Sequence, residues 1–266
     1  GVSGQALKLD GFTTVIAEKS DLYADLKESF SIESWVALAA YPWNWCPLIT
    51  QMKEETGGFS FDIGPRGELR LAMHAGRNLH SCISDYTLNL REWTHIAAVY
   101  TSGVGMALFV NGEEVASYTT SGEPAYAAQE ELRIGMNYEA VFPSNRIGEN
   151  GITPYWFSLD GIVDELSLLS RAMSSGEIAN QYKAVDLKQI PEPEISLREL
   201  PRVESRGVFE AYYTQLKYYP EWDEQWPVAQ DADIVVTFED SPVQLVFWRG
   251  TRYSPAWVSD NNQWMC

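Results

Sequence analysis

The chain has 266 residues, 45% of them hydrophobic and 21% charged, which is the composition of a folded globular protein and excludes wholesale disorder. Its formal net charge of −18 argues against a nucleic-acid binder, because neutralising phosphates needs clustered Lys and Arg. The same charge disfavours an anionic membrane surface and suits an exported protein that meets neutral glycans, or one that binds Ca²⁺ through carboxylates.

The chain opens on Gly1-Val2-Ser3-Gly4 and enters strand-like sequence at once, with no signal-peptide pattern, so it reads as a mature or trimmed product. No stretch reaches the roughly 18 to 20 apolar residues that a membrane span needs. The first strand phrase is Gly4-Gln5-Ala6-Leu7-Lys8-Leu9-Asp10-Gly11. The second is Phe30-Ser31-Ile32-Glu33-Ser34-Trp35-Val36. Its alternation puts Phe30, Ile32, Ser34 and Val36 on one face and Ser31, Glu33 and Trp35 on the other. A tryptophan on the second face implies that this face is covered too, as in a central strand of a two-layer sandwich. Tyr41-Pro42-Trp43-Asn44-Trp45 follows as a loop dense in large rings.

Trp93-Thr94-His95-Ile96-Ala97-Ala98-Val99-Tyr100 is the third phrase, and Met106 to Val110 is a further apolar run. A short hairpin-type loop joins them, and Asn111-Gly112 then supplies positive-φ residues for a tight turn into Val115 to Tyr118. Tyr138 to Trp156 is a long irregular stretch that holds Phe142, Tyr155 and Trp156. The fourth phrase is Phe157-Ser158-Leu159-Asp160-Gly161-Ile162-Val163-Asp164-Glu165-Leu166. One helix is expected after it, since Ser174-Ser175-Gly176-Glu177 has capping-box spacing and Ile178 with Tyr182 forms an apolar i, i+4 pair. Ile190-Pro191-Glu192-Pro193-Glu194 disfavours both helix and ladder pairing and reads as a linker. Strand character returns beyond it at Ala211 to Leu216, Ile234 to Phe238 and Leu245 to Trp248. Roughly 75 residues after the linker are marginal for an independent all-β domain, so the tail either packs on the sandwich or opens a larger domain.

In order and spacing the four phrases, with Arg171-Ala172-Met173-Ser174, Glu177-Ile178 and Tyr182 behind them, resemble the laminin-G-like, concanavalin A-like jelly-roll family over residues 4–183. The reading is therefore all-β: a two-sheet antiparallel jelly-roll sandwich with one short helix, followed by a small β-rich C-terminal segment. It assigns residues 1–185 to the jelly roll, 186–207 to the linker and 208–266 to an aromatic-rich β segment. Relatives with this resemblance often carry a structural Ca²⁺, for which Asp10, Asp160 and Asp164 are the candidate ligands; the alternative is that they are turn formers and a backbone-bonded carboxylate. The resemblance implies that laminarinase-type hydrolases of this fold carry an E-x-D-x-x-E run on one strand, and no such run exists here, so the sandwich is expected to be non-catalytic.

Trp43, Trp45, Tyr155 and Trp156 are candidate sugar platforms, because apolar sugar faces stack on aromatic rings; the alternative is that these rings cover a core edge. Phe247-Trp248-Arg249-Gly250-Thr251-Arg252-Tyr253 is similar to the opening of propeller-like domains of bacterial polysaccharide-processing proteins. Arg249, Arg252 and Tyr253 are the candidate contacts there for a uronate carboxylate. The three histidines have no zinc-hydrolase spacing, and His95, inside a strand phrase, is expected to be structural. Cys46 and Cys82 are either a disulfide in an oxidising compartment or two buried thiols, and Cys266 leaves the count odd. The function expected is a recognition module of an exported bacterial protein, extracellular, at the cell surface or periplasmic. It would bind a poly- or oligosaccharide or a protein partner. The competing expectations are the N-terminal part of a polysaccharide-degrading lyase or hydrolase, with catalytic residues mostly beyond this chain, and a protein–protein adhesion or scaffold module.

Overall fold

The computed structural model describes residues 1–10, 15–17, 26, 28–42, 45–52, 57–76, 78–120, 122–126, 131–137 and 159–195, with five short strands beyond them. The chain divides into two compact units, Gly1–Tyr138 with Phe157–Ser196, and Glu139–Trp156 with Leu197–Cys266. In chain order the first unit has β1 (Leu7–Asp10), β2 (Val15–Ala17), β3 (Ser29–Leu38), β4 (Tyr41–Pro42), β5 (Cys46–Thr50), β6 (Phe59–Ile63) and β7 (Leu69–Ala75). They are followed by β8 (Asn78–Ile83), β9 (Thr94–Thr101), β10 (Gly105–Val110), β11 (Glu113–Tyr118), β12 (Leu132–Ile134), β13 (Asp160–Leu169) and helix α1 (Ser175–Ala184).

Twelve of these strands form two six-stranded antiparallel sheets, ordered β1-β13-β3-β9-β10-β11 and β2-β12-β5-β6-β7-β8. Between them lies the core, and the alternation of each strand decides which residues enter it. Phe30, Ile32 and Val36 of β3, Phe59, Phe61 and Ile63 of β6, and Leu69, Leu71 and Met73 of β7 belong to one buried cluster. Phe30 bridges the layers, with its ring 5.0 Å from that of Phe59 and 5.6 Å from that of Tyr100. Each large side chain so buried contributes about 1.5–3 kcal/mol of transfer free energy before the entropy of ordering is subtracted. Cys46 and Cys82 are buried thiols within the same cluster rather than a disulfide. Burial first, and the charge of Glu114 second, push the Cys82 thiol up to about 11, so it behaves as a small apolar group.

The β10–β11 turn uses Asn111 at φ 51° and Gly112 at φ 81°, the left-handed pair that a two-residue hairpin turn demands. Asn111 also ties the turn to β9: its Oδ1 accepts the His95 N–H at 3.0 Å and its own N–H donates to the His95 carbonyl at 2.8 Å.

The outer face of the first sheet is covered as the placement of Trp35 implies. Helix α1 starts on a capping box, in which the Ser174 hydroxyl accepts the Glu177 N–H at 3.2 Å and Glu177 accepts the Ser174 N–H at 2.8 Å. The Ser174 N–H first, and its hydroxyl second, donate to the Glu177 carboxylate and hold it below its ordinary range. Ile178 then buries itself with Ala97, Val99, Phe109 and Met173, and Tyr182 stacks on Trp35 with ring centres 5.8 Å apart. Beyond α1 the chain runs along the sandwich, where the Trp93 indole N–H donates to the Pro191 carbonyl at 3.1 Å.

The second unit contains β14 (Lys217–Tyr218), β15 (Ile234–Thr237), β16 (Gln244–Phe247), β17 (Ala256–Val258) and β18 (Trp264–Met265). The last four form an antiparallel sheet in sequence order. Two of the strands expected in the tail appear as β15 and β16; the one expected over 211–216 lies outside the described residues.

Candidate functional site

The outward face of the second sheet is assembled by the same alternation that builds the core. Phe59, Phe61 and Ile63 point inward on β6, so Ser60 and Asp62 point outward. On β7, Leu69, Leu71 and Met73 point inward and leave Arg70, Ala72 and His74 outside. The antiparallel register sets Asp62 directly opposite Arg70 and Ser60 directly opposite Ala72. A turn at 64–67 enforces that register: the Gly64 N–H donates to the Glu68 carbonyl at 2.8 Å and the Gly67 N–H to the Gly64 carbonyl at 3.0 Å. On the other side, β5 offers Thr50 between Ser60 of β6 and Arg133 of β12.

Asp62 is the charged centre of this face. Both Nε and Nη2 of Arg70 donate to its Oδ2 at 2.8 Å, and the Ser60 hydroxyl donates to its Oδ1. Its side chain is 1% exposed, whereas that of Arg70 is 25% exposed. Burial pushes the Asp62 carboxyl above its ordinary range; the Arg70 charge and the two hydrogen bonds pull it partly back. Above Arg70 lies Trp45, with the guanidinium carbon 4.5 Å from the centre of its ring. That geometry is a cation–π contact, worth about 0.5–2 kcal/mol depending on how dry it is. The indole is half-buried and packs over Gly64, where an added Cβ would sit 2.7 Å from its Cζ3. Glu68 is committed to the turn, its Oε2 accepting the Arg66 N–H at 2.7 Å. Arg133, further along the face, is held by Glu131 at 2.7 Å and donates to the Asn137 carbonyl at 2.9 Å.

Of the residues expected to bind sugar, Trp45 stands on this face. Trp43, Tyr155, Trp156, Arg249, Arg252 and Tyr253 lie outside the described residues. The three candidate calcium ligands lie on the paired strands β1 and β13. β1 and β13 pair Asp10 with Asp160 in register. Asp164 spends both oxygens on backbone, with Oδ2 accepting the Ser3 N–H and Oδ1 the Glu165 N–H, each at 3.0 Å. Among the described residues no three His, Cys, Asp or Glu side chains gather closely enough to cage an ion. His95 is structural: it is 1% exposed and its Nε2 lies 2.7 Å from Glu33 Oε1.

Asp62, Arg70 and Ser60 escape a reading that looks for motifs. The signal for them is the alternation in Phe59-Ser60-Phe61-Asp62-Ile63 and Leu69-Arg70-Leu71-Ala72-Met73 around Gly64-Pro65-Arg66-Gly67, a hairpin whose register makes the two charged residues partners.

A family model described as the Concanavalin A-like lectin/glucanases superfamily matches residues 10–179, more than half of the chain. The chain belongs to this superfamily. Solved structures of the same fold include domain 4 of AbnA, a GH43 extracellular arabinanase from Geobacillus stearothermophilus, in complex with arabinotriose. It matches with a TM-score of 0.52 at 17% identity, over 68% of this chain and 77% of that one. The CBM40 of a Ruminococcus gnavus IT-sialidase, bound to α2,3-sialyllactose, matches with a TM-score of 0.54 at 12% identity, over 67% of this chain and 97% of that one. The binding domain of botulinum neurotoxin DC, in complex with rat synaptotagmin II, matches with a TM-score of 0.50 at 12% identity, over 69% of this chain and 46% of that one. Identities this low show the fold alone. No curated protein sequence matches this member of the superfamily.

The Asp62 environment predicts an unusual pH dependence. Because its folded pKa is raised, the native state holds this proton better than the unfolded chain does. The contribution of Asp62 is thus full below the unfolded carboxyl pKa of about 4 and declines as pH rises through the folded value. Asp62→Asn stays neutral throughout, so the melting temperature of the native protein relative to this variant should fall between about pH 4 and about pH 7. Thermal melts of both proteins at the two pH values check this; a difference that moves in favour of the native protein as pH rises contradicts it.

Proposed function

We propose that the sandwich is a non-catalytic recognition module that binds carbohydrate and belongs to an exported protein. The observation that carries this reading is the Trp45–Arg70–Asp62–Ser60 assembly on the outward face of the second sheet. A sugar ring presents apolar C–H faces and a rim of hydroxyls, which need an aromatic platform beside fixed donors and acceptors. Trp45 supplies the platform, and a guanidinium locked between that ring and a buried carboxylate supplies donors that lose little entropy on binding. Both nearby carboxylates already have partners, Asp62 on Arg70 and Ser60, Glu68 on the Arg66 backbone. Glycosidic cleavage requires a pair of carboxyl groups flanking the bond, one of them ready to give up a proton. The arrangement favours holding a glycan over cutting it. The arabinotriose and sialyllactose in the two similar structures support the same class of ligand.

A glycan array probed with the protein, followed by calorimetry on the strongest glycan, tests the proposal. Trp45→Ala should weaken binding about fivefold or more, since a lost stacking platform costs about 1 kcal/mol or more. An array without signal, or an affinity unchanged in Trp45→Ala, contradicts it.

A structural Ca²⁺ with Asp10, Asp160 and Asp164 as its ligands is part of the same proposal, supported by the pairing of Asp10 with Asp160 in register on β1 and β13, the strand that also carries Asp164. Its test is the melting temperature with and without EDTA: a metal bound only to the folded state raises it, and an EDTA-insensitive melt removes the ion.

A further inference from the structure

The opposite side of the sandwich holds a cavity that the proposed glycan face does not use. It measures about 680 Å³ and lies between the outer face of β3 and β13, the C-terminal half of α1, the residues that follow α1, and the N-terminal residues Val2 and Ser3. That volume is in the range of sites for small organic ligands. Its charged lining is of one sign: Glu33, Glu165 and Asp186, with no Lys or Arg among the described residues around it.

These three carboxylates are not equivalent. Asp186 is committed to a local turn, where Oδ1 accepts the Lys188 N–H at 3.1 Å and Oδ2 the Gln189 side-chain amide at 3.0 Å. Glu33 uses Oε1 on His95 and has Oε2 unengaged among the described residues. Glu165 has neither an ion pair nor a side-chain hydrogen bond among the described residues. Its backbone occupies φ 49° at the irregularity where β13 shifts register against β3 between Asp164 and Ser167. The bulge turns one residue out of the alternation and leaves its carboxylate at the cavity. Trp35, stacked under Tyr182, adds an apolar wall, and the Gln181 amide, without a hydrogen-bond partner among the described residues, adds a neutral donor and acceptor.

We propose that this cavity binds a small organic cation bearing primary ammonium groups, of the size of an amino sugar or a polyamine. Three carboxylates within one concave surface raise the local concentration of cations, and low-dielectric walls strengthen each attraction relative to open water. An ammonium carries three donors, which the open oxygens of Glu33 and Glu165 and the Gln181 carbonyl can accept. An anionic ligand would meet repulsion there, with no Lys or Arg among the described lining residues to offset it.

The probes are glucosamine trisaccharide, spermidine and the N-acetylated, neutral trisaccharide, titrated calorimetrically into the protein at moderate salt. Glu165→Gln is the informative variant, because its side chain makes no hydrogen bond or ion pair among the described residues. Glu113→Gln, an exposed acid on β11, controls for general attraction of cations to an acidic protein. In a Trp45→Ala background, which removes the proposed glycan platform, glucosamine trisaccharide, spermidine or both should bind, the N-acetylated sugar should not, and Glu165→Gln should weaken binding about threefold to fivefold, the scale of one partly exposed ion pair. Glu113→Gln should leave it unchanged. Binding of one ammonium probe alone supports the proposal and assigns that source, amino sugar or polyamine. The proposal is overturned if neither ammonium probe binds, if the neutral trisaccharide binds equally well, or if the two variants lose affinity alike. Trp45→Ala should not alter this binding, so the result is independent of the glycan face.

Discussion

The contact between Phe30 of β3 and Phe59 of β6, 5.0 Å across the sandwich, is the constraint on which the rest of the molecule depends. It sits in a core where Phe30, Ile32 and Val36 face Phe59, Phe61 and Ile63. Once those residues are inward, a strand with a two-residue period has no freedom over the others. Glu33 and Trp35 must face out from the first sheet, and Ser60 and Asp62 must face out from the second. A slip of one residue in either strand would bury a carboxylate in the core, at a cost well beyond ordinary stability margins. The functional surfaces are in this sense the reverse side of the hydrophobic core.

The two outer faces resolve their charge in different ways. On the second sheet the carboxylate of Asp62 is buried and neutralised by Arg70, which is itself laid against Trp45. A pair of that kind gives little net stability, because desolvation offsets most of the attraction, but it holds the guanidinium rigidly. Rigidity is what a weak sugar contact requires. On the first sheet, α1 covers Trp35 through Tyr182, yet Glu33 and Glu165 keep oxygens without cationic partners among the described residues beside a cavity. One face is preorganised and locally neutral. The other is an unbalanced field.

Much of the fold was legible because its signals are local and periodic. The faces of the 30–36 phrase, the Asn111-Gly112 turn and the Ser174–Glu177 cap each follow from a few neighbouring residues and a fixed geometry. Covering of the Trp35 face was legible for the same reason, since an indole on a strand's second face needs a second layer. The candidate site was less so. Trp45 stood out as an aromatic residue, but its value comes from Arg70, twenty-five positions later, and from the hairpin register that sets Arg70 against Asp62. Asp164 shows the converse. Its type and position suit a metal ligand, while its actual partners are the N–H groups of Ser3 and Glu165, which composition and spacing do not reveal. The β13 bulge that exposes Glu165 has no mark in the sequence, because Asp164-Glu165-Leu166 holds no glycine to announce a positive φ.

The central claim is that glycan recognition resides on the Trp45–Arg70–Asp62 face. Its most direct test is a titration of the protein with its strongest-binding neutral glycan, followed by amide and indole N–H chemical shifts in NMR. The account predicts that the largest shifts fall on the Trp45 indole and on the amides of β6 and β7 around Ser60, Asp62 and Arg70. Shifts concentrated instead on β3, β13 and α1, with the Trp45 indole unmoved, would contradict it.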